Sequence, residues 1–168
     1  MHDSKSILVG IAEGEVGTRE QGGNNRGGRV VVYQTATWLK PDAWPWCAAF
    51  VCWCIKEWLK VPGVAEHNNI SDPEKWRPKT AGAFDFIRWA KEKGLRVLGE
   101  NAEVEAGDIV VFDFSHIGIV TDDAKAGSNT IECVEGNTNG KGLRDSTSGD
   151  GVWQKTRARS LVRNFIRI

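Results

Sequence analysis

The stretch WPWCAAFVCWCIKEWLK, residues 44–60, decides how the chain is read. From Ala48 onward, Phe50, Val51, Trp53, Cys54, Ile55, Trp58 and Leu59 are apolar around most of a helical circumference. A helix apolar nearly all round is buried inside a domain rather than laid on its surface. Pro45 fixes φ and lacks an N–H, which suits a helix start. Cys47 then falls where free backbone N–H groups and the positive end of the helix dipole converge, and both favour a thiolate. Most free cysteines are small buried core residues, so this segment by itself leaves Cys47 between nucleophile and core filler.

Around that helix, 168 residues suffice for one domain with a real core. The 22 basic and 22 acidic residues balance, so no nucleic-acid partner is implied. Eight tryptophans exceed what such a core usually needs, and some are expected along a groove that holds an extended ligand. The apolar run near the start, ILVGIA, is followed at once by acids. It is too short for a signal-peptide core or a membrane span. No integral membrane segment is expected, and synthesis is expected in the cytoplasm, with any export by another route.

The four cysteines are read as reduced. Cys52 and Cys54 point to nearly opposite sides of the helix, and Cys47 lies about 10 Å of helical rise from Cys54, beyond disulfide reach. A C-x-C pair within a helix also lacks the turn geometry of a zinc knuckle.

In chain order, Asp3 or Ser4 can cap a first helix to about Glu15, with Ile7, Leu8, Ile11 and Ala12 as its buried stripe. The glycine-rich stretch EVGTREQGGNNRGG reads as a mobile loop, since no strand precedes it and no Lys-Ser/Thr follows. Residues 29–37 are a short helix or strand that periodicity does not separate. Val61 to Lys79 reads as a surface excursion, with His67 solvated. Thr80 is expected to cap another helix whose core face is Ala83, Phe84, Ile87 and Ala90, ended by Gly94. Then the period becomes extended: DIVVFDF (108–114), HIGIVTD (116–122), NTIECVEGN (129–137) and a last run, SLVRNFIRI. Helices followed by an antiparallel meander make an α+β domain.

With alternating side chains, His116 shares a strand face with Gly118, which leaves room beside the imidazole. Cys133, Glu135 and Asn137 share a face of the next strand. If those faces coincide, His116 gains a carboxylate and an amide. A base oriented by a third group and presented to a helix-start thiol is the arrangement for nucleophilic acyl transfer.

The blocks PWCAAFVCWC, GDIVVFDFSHIGIV and ECVEGNTN, flanked by NNRGGRVVVYQ and TAGAFDFIRWAKEKGLRV, resemble CHAP domains. These are cysteine, histidine-dependent amidohydrolases/peptidases of the NlpC-type papain-like superfamily. The resemblance covers nearly the whole chain, read as a single catalytic domain over 1–168 without a wall-binding module. It implies a papain-like α+β fold, with N-terminal helices packed on a C-terminal antiparallel sheet. It also implies hydrolysis of amide bonds in the peptide moiety of peptidoglycan, by an amidase or an endopeptidase. By match to the motif, Cys47 corresponds to the nucleophile and His116 to the base, with Glu135 and Asn137 completing the site. Trp46 and Asn25 are the expected substrate-binding residues. Some CHAP domains carry an Asp-rich calcium loop before the cysteine. Here TATWLKPDAWPW holds Asp42 as its only acid, so neither metal nor other cofactor is expected.

A phage lysin released through a holin pore, or an effector delivered by a secretion machine with an immunity protein, fits these expectations. Such a protein would be a monomer acting on muropeptides at the cell wall, in the periplasm. The rivals are an amidase or transpeptidase working on a non-wall peptide, and a binding module of the same fold without turnover.

Overall fold

A computed structural model describes residues 4–140 and 149–168. Its centre is α3 (Cys47–Lys60), in which eleven of the fourteen residues are buried. Before it come α1 (Ser4–Glu13) and α2 (Gly28–Gln34). After it come two short helices, α4 (Val64–His67) and α5 (Pro73–Trp76), and then α6 (Asp85–Glu92). The strands are β1 (Arg96–Leu98), β2 (Ile109–Phe112), β3 (His116–Val120), β4 (Thr130–Thr138), β5 (Gly151–Ala158) and β6 (Val162–Arg167). They form one antiparallel sheet in the order β1-β6-β2-β3-β4-β5. The domain is α+β, as the change of period predicts.

Alternation along the strands divides the core in two. Ile109, Val111, Ile117, Ile119, Val134 and Ile166 join the helices in the larger cluster. Val110, Phe112, Val120, Ile131, Cys133 and Phe165 close a second cluster on the opposite face. Both faces of the central strands are therefore dry, which is why β2 and β3 read as continuous apolar runs. At the foot of the sheet the fully buried Asp108 accepts from Arg167 and Lys5, tying β2 to β6 and α1. A carboxylate taken out of water requires such hydrogen-bond partners.

Several local expectations change. Helix α1 ends at Glu13, and its inward residues are Ser4, Leu8, Val9 and Ala12, with Ile7 and Ile11 at the margin. Asp3 lies outside the described residues. Residues 29–37 resolve as α2 and the turn after it. The glycine-rich loop pairs with the sheet edge, Arg19 opposite Gly151, with Glu20 N–H donating to the Asp150 carbonyl at 2.7 Å. The excursion after α3 contributes buried Val64 and Ile70 and the Trp76 ring, which packs edge-on to Trp89. Thr80 does not cap α6. Its hydroxyl binds Asp85, while Phe84 takes the cap position with no side-chain bond. The helix turns Phe86, Trp89 and Ala90 inward and leaves Phe84 exposed. Gly94 does end it, with φ 70°. All four cysteines are free and buried.

Candidate active site

Helix α3 starts at Cys47, with Trp46 as its cap and Pro45 one residue earlier. The first helical hydrogen bond runs from Phe50 N–H to the Trp46 carbonyl. The first-turn N–H groups, that of Cys47 included, thus have no partner inside the helix. Cys47 is 6 % exposed and lines a cleft of about 570 Å³. Trp44, Pro45, Asn25, Phe114 and Asn137 share the lining, with Ala81–Ala83 on another side.

Trp46 is not a wall of that cleft. It is fully buried, stacks on Tyr33 at 5.4 Å between ring centroids, and donates its indole N–H to Glu20 at 2.8 Å. The helix-cap backbone turns its side chain into the core, and the tryptophan that lines the cleft is Trp44. Tyr33 in turn bonds Glu15, which Arg29 grips through both carboxylate oxygens. The segment that delivers Cys47 is anchored from below by this cluster. Asn25 does line the cleft, held at φ 57°.

His116 opens β3 directly after the turn Phe114–Ser115, where Ser115 takes φ 60°. The ring is fully buried and stacked against Phe112 and Phe114, at 5.9 and 5.6 Å between centroids. Its Nε2 bonds Glu135 Oε2 at 2.7 Å, while Nδ1 has no hydrogen-bond partner. The register Ile119–Val134 and Val120–Cys133 explains this contact, since it brings Glu135 onto the face of His116. Gly118 makes room for it: a Cβ there would sit 2.8 Å from Glu135 Cγ and from the Val134 carbonyl oxygen. The space that the sequence assigns to an approaching group is filled by the carboxylate itself.

Burial alone would push the His116 pKa down. The Glu135 charge, aided by the neighbouring Cys47 thiol and the bond to Glu135, brings it up to about 9. Burial alone would raise Glu135, but the His116 charge and the bonds from Arg157 and His116 bring it down to about 2. The two form an ion pair in a dry site. One imidazole nitrogen is committed to the carboxylate, and the other is left open for a thiol.

Asn137 departs from simple alternation. It takes φ 54° at an irregularity of β4 between Glu135 and Thr138, and it lines the cleft. Glu135 is thus the direct partner of the imidazole, and Asn137 stands beside the space above Cys47. Gly136, between them, lets the sheet touch α3: a Cβ there would fall 2.7 Å from Phe50 Cβ.

Two contributors escape a sequence reading. Phe114 lies in a run taken simply as strand, yet it forms both a cleft wall and a face of the imidazole stack. Arg157, on a strand not recognised in the sequence, binds Glu135. A glutamate placed among apolar strand residues was the available signal, because it demands a buried cation.

Among the described residues no three His, Cys, Asp or Glu side chains gather as a metal site, and no helix is long and apolar enough to cross a membrane. No curated protein matches the chain. The CHAP domain family model matches residues 39–137, which span Cys47, His116, Glu135 and Asn137. With well over half of its length inside that match, and with an α+β architecture of the expected kind, the chain belongs to the CHAP domain family of cysteine- and histidine-dependent hydrolases.

Proposed function

We propose that the protein hydrolyses amide bonds in the peptide moiety of bacterial peptidoglycan through a thioester on Cys47. The observation that carries this reading is His116: one ring nitrogen is fixed by a buried carboxylate, the other is unpartnered, and Cys47 is its neighbour. His116 takes the Cys47 proton, and the sulfur attacks the scissile carbonyl carbon. The oxygen that gains the charge is held by the free Cys47 N–H at the start of α3. On collapse, the C–N bond breaks and the imidazolium protonates the leaving amine. Water, deprotonated by His116, then attacks the thioester carbonyl and releases the carboxylic acid and the Cys47 thiol. Glu135 orients the ring and balances the imidazolium throughout. In this reading Asn137, Asn25 and Trp44, which line the cleft, bind the peptide.

A wall substrate puts the working site outside the cytoplasmic membrane. Release through a holin pore or delivery by a secretion machine belongs to the same reading. Digestion of purified peptidoglycan, followed by mass spectrometry of the fragments, tests it. New amino and carboxyl ends are expected with the native chain and not with Cys47→Ala. Fragments free of sugar identify an amidase, and broken peptide stems identify an endopeptidase. An intact wall, with turnover of a non-wall peptide or with binding alone, overturns the proposal.

A further inference from the structure

Glu135 does not serve His116 alone. Arg157 reaches across from β5 and donates Nε to Glu135 Oε1 at 2.7 Å and Nη2 to Oε2 at 2.5 Å. Nη2 also contacts Thr138 Oγ1 at 3.2 Å. Cys133 donates its thiol to Oε1 at 3.1 Å. Oε2 is shared by His116 and Arg157, and Oε1 by Arg157 and Cys133, so both carboxylate oxygens are fully engaged. Glu135 and Arg157 have no solvent exposure. The guanidinium lies 5.6 Å from the centroids of Phe112 and Phe114, the same rings that stack with His116.

We infer that Arg157 is a positioning residue of the catalytic centre, holding Glu135 as an oriented, ionised carboxylate and thereby setting how firmly His116 keeps its proton. The inference rests on the reading of Cys47 and His116 as the reacting pair. An arginine cannot give up its proton in a protein, and its planar fork matches a carboxylate edge to edge. Glu135 therefore cannot escape by neutralising or rotating, as a lone buried carboxylate does. The same fork draws on the carboxylate's charge. His116 is then stabilised as imidazolium less than by a free Glu135, and it can still protonate a leaving amine.

Among the described residues, these titratable groups face the His116–Glu135 pair. Cys47 comes from α3, Cys133 and Glu135 from β4, and Lys155 and Arg157 from β5. Lys155 Nζ donates to the Asn139 carbonyl at 2.7 Å. The alternative is a plain structural ion pair that fastens β4 to β5. Such a pair would affect folding and leave the chemistry of the folded fraction unchanged.

The test uses the whole chain and two readouts, the pH–rate profile of wall digestion and the pH dependence of Cys47 alkylation by iodoacetamide. The second needs no wall substrate. Arg157→Met should move the histidine limb upward by about one unit. In a Glu135→Gln background the same replacement should move it far less, because the effect passes through the carboxylate. Arg157→Lys keeps the charge but not the fork, so its limb should stay in place while turnover falls about tenfold or more. An unmoved limb in folded Arg157→Met, or an equal shift in both backgrounds, overturns the inference. Should Arg157→Met fail to fold, Arg157→Lys decides, and native turnover in it removes the positioning role. A different result, His116→Ala alkylating with the native profile, would uncouple Cys47 from His116 and count against the proposed function itself.

Discussion

Gly118 and Glu135 occupy one shared volume: the hydrogen of the glycine stands where any side chain would collide with the carboxylate-bearing arm of the glutamate. A single methyl group at 118 should therefore disturb the base without touching it. Gly118→Ala is expected to cost about 1–3 kcal/mol of stability and to reduce turnover well beyond the loss of folded protein. Turnover per folded molecule, with folding followed by circular dichroism, checks this.

Cys47→Ala should abolish hydrolysis at a stability cost of about 1 kcal/mol or less, since the site is a helix end and one sulfur is removed. Cys52→Ala and Cys54→Ala should keep most activity. Burial pushes the Cys52 thiol up to about 12, and burial likewise holds Cys54 and Cys133 well above the ordinary thiol range. Native protein should accordingly take up one equivalent of iodoacetamide, at Cys47, by mass spectrometry of the intact chain. Chelators such as EDTA should not slow the reaction, whereas alkylation should stop it.

Glu135→Gln should lower the rate more than Asn137→Ala, by about 10²-fold or more. The glutamate bonds the imidazole, and the asparagine lines the cleft. Removing the carboxylate charge also removes the main force that raises His116, so the histidine limb of the pH–rate profile should move down. The reverse ranking with an unmoved limb would transfer the orienting role to Asn137.

Stability should depend on pH through the same ion pair. His116 rises on folding from 6.5 to about 9, so its contribution is complete below 6.5 and disappears as pH climbs through 9. Glu135 falls from 4.5 to about 2, so its contribution is complete above 4.5 and disappears as pH drops towards 2. The melting temperature should be highest between these limits and decline on the alkaline side. Glu135→Gln should flatten that alkaline decline, as measured by calorimetry across the range.

The sequence places Cys47, His116 and Glu135 because each position is tied to a short-range rule. A proline before an all-apolar helix puts Cys47 at a helix start and strand alternation puts His116 and Glu135 on faces that can coincide, while the roles proposed for them come from the resemblance to the family. What the sequence hides depends on long-range pairing. The strand Gly151–Ala158 runs through the polar residues Gln154, Lys155, Thr156 and Arg157 without apolar alternation and lies at the sheet edge, so its pattern is weak until β4 pairs with it. Trp46, next to the candidate nucleophile, is expected at a binding surface but is buried in the core. Its direction is set by the cap backbone and by Tyr33, thirteen positions away. Phe84 lies outside because α6 starts at Asp85, after it, and the helix buries Phe86, Trp89 and Ala90 instead.

The groups of this centre stand at 47, 116, 135 and 157, in that order along the chain. A ribosome makes the Cys47 thiol first and the Arg157 guanidinium last, and the strand that carries the latter pairs with its neighbour only after both have emerged. Contacts so far apart in sequence are slow to form. During synthesis the growing polypeptide therefore holds the Cys47 thiol before the cluster of His116, Glu135 and Arg157 has assembled. Competence arrives together with the closing strands, as a property of the completed fold.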